Sequence, residues 1–226
     1  EAAVGTQVAS DRSGRTIAIA AMKSAYIIQE SSEGVSELAG LLDCRKVAVS
    51  PNGRWVVTGN HWGGSVDVWS VETGQRIKRL REDERLVSPK FSSDNSMLAI
   101  NAEQHSGLFE TQAWQEIKCA GSSIEGAGAF SPDSQLLVEH TSTGANLLEA
   151  RTGRRLCSLN LPSTPTISHA TFSPNGEKIV LNSDEQHATY VWDLSQLHRE
   201  LSALGLDWMP SGKEPAAEIE PRTRSV

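Results

Sequence analysis

A short turn motif that returns about every forty residues constrains this chain more than any other feature. Its copies are Val8-Ala9-Ser10-Asp11-Arg12-Ser13-Gly14, Val47-Ala48-Val49-Ser50-Pro51-Asn52-Gly53, Lys90-Phe91-Ser92-Ser93-Asp94-Asn95, Ala129-Phe130-Ser131-Pro132-Asp133-Ser134 and Thr171-Phe172-Ser173-Pro174-Asn175-Gly176. The final residues of the copies are spaced 39, 42, 39 and 42 apart. Proline presets φ for the second position of a tight turn, and Asn-Gly or Asp-Asn tolerates left-handed backbone at the positions after it. Short apolar runs flank each turn, as in Arg54-Trp55-Val56-Val57 and Ser96-Met97-Leu98-Ala99. Each copy therefore predicts a hairpin.

The second half of each unit predicts two more strands. Ser65 to Val71 alternates, Glu72-Thr73-Gly74 turns, and Gln75 to Leu80 runs back. Gly144 to Ala150, Arg151-Thr152-Gly153 and Arg154 to Leu159 repeat that plan, and Ser106 to Thr111 does so with a turn at Gln112-Ala113-Trp114. Four short strands, a to d, at a period near forty make one blade of a β-propeller. The fold class is all-β, with about five visible four-stranded antiparallel blades. The units fall near residues 4–41, 44–80, 88–120, 126–159 and 168–194, within a propeller region 1–208.

After Asp193 the pattern becomes helical. Leu194, Leu197, Leu201 and Leu204 share one face, Asp193 and Gln196 fit a capping box, and Gly205 with Leu206 fits a Schellman stop. A short helix over 194–205 is expected against the last blade. Residues 209–226 hold three prolines, mixed charge and little apolar content, which predicts a disordered tail.

The segments "FSPNG", "VWSVETGQ" and "YVWDL" resemble WD-repeat sequence of the bacterial type over roughly residues 4 to 194. That likeness implies a protein-interaction scaffold or regulatory docking module. Among the departures, only Trp192-Asp193 keeps the signature dipeptide, the Gly-His opening is missing, and the second b–c turn reads His61-Trp62-Gly63-Gly64 where the family has aspartate. The His, Ser/Thr, Asp and Trp set that braces many such blades is therefore not carried over. The ending Ala203 to Trp208 is similar to that of bacterial proteins joining a serine/threonine kinase domain to WD repeats. The likeness implies that the chain is the C-terminal part of a longer signalling protein with further blades upstream. A complete five-bladed ring is the rival reading.

Composition narrows the functions. A net charge of −7 argues against general nucleic-acid binding. No apolar run is long enough to span a membrane. Cys44, Cys119 and Cys157 have no metal-ligand spacing and suit reduced thiols in the cytoplasm. No catalytic motif, cofactor fingerprint or metal set occurs, so no enzyme, cofactor or metal is expected. His61, His105 and His187 fall in or near b–c turns, where solvated loop histidines are the ordinary reading, and His169 stands alone on an inner strand. Arg76 to Lys90 carries a basic stretch broken by Glu82-Asp83-Glu84, the charge expected of a protected outer strand.

Propeller loops on the face bearing the d–a and b–c connections are free to bind. The expected partner contacts are Trp62, His105, Glu185 and His187 from b–c turns and Arg81, Glu82 and Arg85 from a d–a loop. Trp62 stands out because exposed tryptophan is the residue type most enriched in interface hot spots. The expected partner is a protein. A small-ligand sensor and a propeller enzyme acting at the central channel are the alternatives.

Overall fold

Each copy of the turn motif joins two antiparallel strands, and one residue in each makes the reversal. Gly14, Gly53, Asn95, Ser134 and Gly176 all take left-handed backbone, with φ between 60° and 75°. Asn52 and Asp94, expected to share that conformation, keep negative φ. The turn is thus the kind that places a single left-handed residue at its end. The motif's serine closes the hairpin. Ser50 Oγ accepts from Trp55 N–H, Ser92 from Met97, Ser131 from Leu136 and Ser173 from Lys178, at 2.9–3.0 Å. Asp11 Oδ1 does the same for Thr16 N–H in the first copy.

The computed structural model describes residues 7–31, 34–117, 127–141, 144–161 and 166–206. Its strands form five separate antiparallel sheets, consecutive in sequence. Blade 1 holds β1 (Val8–Ser10), β2 (Thr16–Ala21), β3 (Ser24–Gln29) and β4 (Val35–Leu38). Blade 2 holds β5 (Cys44–Val49), β6 (Trp55–Asn60), β7 (Val66–Ser70) and β8 (Arg76–Arg81). Blade 3 holds β9 (Ser88–Phe91), β10 (Met97–Asn101), β11 (Gly107–Glu110) and β12 (Gln115–Glu116). Blade 4 holds β13 (Ala127–Phe130), β14 (Leu136–Thr141), β15 (Gly144–Glu149) and β16 (Arg155–Asn160). Blade 5 has three strands, β17 (His169–Phe172), β18 (Lys178–Ser183) and β19 (Ala188–Asp193), followed by α1 (Leu194–Ala203).

Strand alternation explains why the blades stack. Successive side chains point to opposite faces of a sheet. In blade 2 the cross-strand pair Val56 and Trp69 faces blade 1, packing with Ala18, Ala20 and Ile27. The next pair, Val57 and Val68, faces blade 3 and meets Leu98, Ile100 and Phe109. In blade 3 the other face, Met97, Ala99 and Leu108, meets Leu137, Leu148 and Ala150 of blade 4. Blade 4 in turn presents Val138, Ala145 and Leu147 to Ala170, Phe172, Ile179 and Leu181 of blade 5. Four shared cores hold five sheets in a row. The inner blades therefore read as nearly continuous apolar runs, because both faces are covered. Blade 5 alternates instead: Ile179 and Leu181 are buried, whereas Thr171, Thr189 and Val191 on its other face are exposed. The free face of blade 1 likewise exposes Val8 and Val35.

The turns also link blade to blade. Arg12 N–H donates to Pro51 O at 3.1 Å, Asn52 N–H to Asn95 Oδ1 at 2.7 Å, and Asp94 N–H to Ser134 Oγ at 3.1 Å. Asn95 and Ser134 hold a conformation that glycine adopts more readily. Their side chains accept from the preceding blade, which glycine cannot do. Part of a bracing set is present in blade 2, where Trp69 Nε1 donates to Thr58 Oγ1 at 3.0 Å. Trp114 replaces a turn glycine at φ 56° and packs edge-on against Trp55 of blade 2 as well as Phe91 of its own sheet.

The helix begins where Asp193 accepts from Gln196 N–H at 2.9 Å. The return half of the capping box is not made, because Gln196 Nε2 donates to Glu200 instead. The helix ends with Gly205 at φ 69°, and Leu206 N–H reaches Leu201 O at 2.9 Å, the Schellman pattern. Leu194 is buried and Leu197 packs beside it on the core between blades 4 and 5. Burial pushes the Cys44 thiol up to about 12 and the Cys157 thiol up to about 11. Cys119 and residues 209–226 lie outside the described residues. Among the described residues no helix is long and apolar enough to cross a membrane.

Candidate partner-binding face

The two faces of the blade row differ in chemistry. The face formed by a–b and c–d turns is tied up by its own polar side chains. The Ser-Asx pairs of the turn motif bond to each other, Thr152 Oγ1 donates to Glu149, and the inter-blade bonds described above run along it. The opposite face, built from b–c turns and d–a loops, exposes apolar groups. Met22 in the first b–c turn is 45% exposed, Leu42 in the next d–a loop 75%, Trp62 in the second b–c turn 68%, and Leu86 in the following d–a loop 47%. The a–b and c–d turns expose no comparable large apolar side chain among the described residues.

Backbone bonds fix this rim. Met22 N–H donates to Cys44 O and His61 N–H to Asp43 O, which ties each b–c turn to the d–a loop beside it. Trp62 pairs with Arg85 in an isolated bridge, Leu86 N–H donates to His61 O, and Glu84 N–H to Gly64 O. The loop thus pins the Trp62 backbone without covering its ring. The His61 ring stands edge-on to that ring at 4.8 Å between centroids. The Glu84 side chain is buried, and its Oε1 meets His105 Nδ1 at 2.9 Å, which joins the third b–c turn to the same loop. A cavity of about 350 Å³ opens between this turn and the two d–a loops, lined by Leu42, Asn60, Gly64, Arg79 and Glu82 among others.

Of the residues that the sequence marks as contacts, the structure gathers Trp62, Arg85 and His105 around Glu84. Arg81 is engaged between blades: its guanidinium bonds Glu116 and lies 5.1 Å over the Phe109 ring. Glu82 is exposed and ion-paired with Arg79 at 3.7 Å. Glu185 and His187 sit in the b–c turn of blade 5, and no described bond joins them to the Trp62 cluster. The basic stretch is partly neutralised from within. The buried Asp67 carboxylate accepts from Arg79 Nε at 2.9 Å and from Ser65 Oγ at 2.6 Å, with Arg76 3.5 Å away. The Asp67 hydrogen bond, and then the Asp67 charge, raise the Arg79 guanidinium pKa against the opposing effect of burial. Among the described residues no group of three metal-ligating side chains forms.

Three rim residues, Met22, Leu42 and Leu86, and the buried Glu84 are not legible in the sequence. Isolated apolar residues in loops carry no periodicity, and the residue nearest to a signal is Leu86, which directly follows the charged run Arg81 to Arg85.

No family model matches the chain, and no curated protein matches it. Solved structures do. The chain is similar to hydrazine synthase of Kuenenia stuttgartiensis, with a TM-score of 0.62 and 16% identity, covering 78% of this chain and 54% of that one. It is also similar to the Cps50 (Swd1) β-propeller domain of Myceliophteria thermophila, with a TM-score of 0.65 and 17% identity, covering 82% of this chain and 63% of that one. Likeness at this identity shows the β-propeller fold. The chain spans less than two thirds of either structure's length.

Proposed function

We propose that this chain is a non-catalytic protein-interaction module that holds an apolar segment of a partner protein on its b–c and d–a face. The observation that carries the reading is the rim of Met22, Leu42, Trp62 and Leu86. Four large apolar side chains stand exposed in successive loops, and hydrogen bonds at Met22, Asp43, His61 and Leu86 fix the backbone at or beside each of them. A preformed apolar rim loses little freedom on binding, which favours affinity. Fold alone does not decide function, and one structural relative bears an enzyme's name. Arg85, His105 and Glu82 form the polar margin of the same face. Glu185 and His187 extend the reading to blade 5 if the partner is long. The likeness of the 203–208 segment to kinase-linked WD-repeat proteins supports placement in a longer bacterial signalling protein.

The test is affinity capture with the full-length protein, repeated with Trp62→Ala, Leu42→Ser and, on the opposite face, Asn175→Ala. Trp62→Ala weakens a captured partner by roughly 2 kcal/mol, about thirtyfold, if the tryptophan is a hot spot. Leu42→Ser weakens it too, and Asn175→Ala leaves it unchanged. Equal binding by all three variants removes this face from consideration.

A further inference from the structure

The cavity between the Trp62 turn and the two d–a loops joins one residue of the apolar rim, Leu42, to two exposed carboxylates, Glu82 and Asp83. Arg79 is the one cation among its described lining residues. That guanidinium is already engaged: Nε donates to Oδ1 of the buried Asp67 at 2.9 Å, and Nη2 lies 3.5 Å from Oδ2. Glu82 approaches Arg79 only to 3.7 Å, and Arg76 approaches Asp67 at 3.5 Å. Asp83 ion-pairs with no described residue. Two guanidinium groups thus face three carboxylates, Asp67, Glu82 and Asp83. The surplus is negative, and it belongs to the two exposed groups.

Asn60 gives an independent signal. It lines the same cavity and is 2% exposed. Its Nδ2 donates to Ser65 O at 2.9 Å, and its Oδ1 has no donor. Leaving a buried acceptor without a donor is costly. Gly64 packs against this amide: a Cβ there would stand 2.3 Å from Asn60 Nδ2, so the second glycine of the turn leaves the amide its room.

We propose that this cavity takes a basic side chain, lysine or arginine, from the partner segment that lies on the apolar rim. The inference rests on that reading of the rim and adds the charge of the segment to it. A basic side chain brings N–H donors to residues that offer acceptors, Asn60, Glu82 and Asp83. Its charge offsets the surplus carboxylate. Its aliphatic stem packs along Leu42, as such stems do on apolar surface. An acidic side chain would meet like charge, with Arg79 already held by Asp67, and an apolar one would bring no donor.

A display library of random short peptides is selected on the full chain, and the selected peptides are measured by fluorescence anisotropy. Lysine or arginine is expected at one position beside apolar residues. Replacing it with norleucine weakens binding about tenfold, the scale of one charge-assisted contact. The same replacement costs distinctly less on the chain carrying Glu82→Gln and Asp83→Asn, since the pairing carboxylates are gone. Both positions are exposed, and asparagine tolerates the φ of 54° at Asp83, so this variant keeps its thermal midpoint. Glu72→Gln, in the c–d turn of the opposite face, leaves the preference unchanged. Peptides that need Trp62 but show no preferred basic residue, or an equal norleucine loss on both chains, overturn the inference and leave the rim reading standing. Peptides indifferent to both Trp62→Ala and Leu42→Ser, or no selected peptide at all, overturn the rim reading and this inference with it.

Discussion

Placing a single methyl group between blades 4 and 5 tests how they stack. Gly128 lies on β13 at a bulge in its pairing with β14. A Cβ at Gly128 stands 2.7 Å from Ala170 Cβ, 3.0 Å from Val138 O and 3.3 Å from Val138 Cγ1. Ordinary carbon contacts lie near 3.5–4.0 Å, so Gly128→Ala overlaps blade 5 by about 1 Å. Overpacking of this kind destabilises by about 1–3 kcal/mol. Ala170→Gly by itself removes a buried methyl, about 0.8 kcal/mol, and adds strand entropy of about 0.5–1 kcal/mol. If the two residues meet as described, the double variant recovers much of the first loss, with a coupling of about 1–2 kcal/mol. The contact with Val138 O remains, so the recovery is partial. Urea unfolding followed by tryptophan fluorescence, with midpoint and slope read together, supplies the four corners of the cycle. Losses that add to within about 0.5 kcal/mol refute direct packing of β13 on β17.

Three further outcomes follow from the same contacts. Ser92→Ala leaves the buried Met97 N–H without its side-chain acceptor and destabilises by about 1–3 kcal/mol in urea titration; an unchanged midpoint would show that the serine does not close the hairpin. At Asp94, burial raises the carboxyl pKa, but the bonds from Ser92 and Ser96 and the Arg151 charge outweigh it and hold the group below 3.8. Its contribution is therefore fully present above about pH 3.8 and lost as pH falls through the lowered value, so Asp94→Asn flattens the acid limb of stability, and an identical limb contradicts the assignment. Cys44, fully buried with its thiol near 12, resists iodoacetamide at pH 8 until urea is added; stoichiometric labelling of the native chain, read by peptide mass, counts against its burial.

The turns are legible in the sequence because their chemistry is local. A serine, a proline or polar residue, an Asx and a glycine or its substitute act within six residues. Stacking is legible too, since Val56-Val57 and Leu98-Ala99-Ile100 lack the polar alternation of a sheet with one wet face. What lies between blades is not. Asn95 and Ser134 look like poor substitutes for turn glycines, yet each accepts a bond from residues about forty positions earlier. Arg81 reads as a free loop cation, but the geometry of β11 and β12 gives it Phe109 and Glu116. Lys90 reads as one more charge on a basic stretch, until the neighbouring blade brings Gly128 O to it. Trp62 is the contact that sequence reasoning singles out and that the structure leaves exposed, because two glycines and a bonded loop hold its backbone away from any covering strand.

A photocrosslinking amino acid placed at single positions of the full-length protein in its own cell tests the binding face most directly. Substitution at Trp62 or Leu86 is expected to trap one and the same protein, with crosslinks mapping to an apolar segment of it. Substitution at Asn52 or Asn175, on the polar face, is expected to trap nothing above background. Adducts from Asn52 and Asn175 in place of Trp62 and Leu86 would contradict the account.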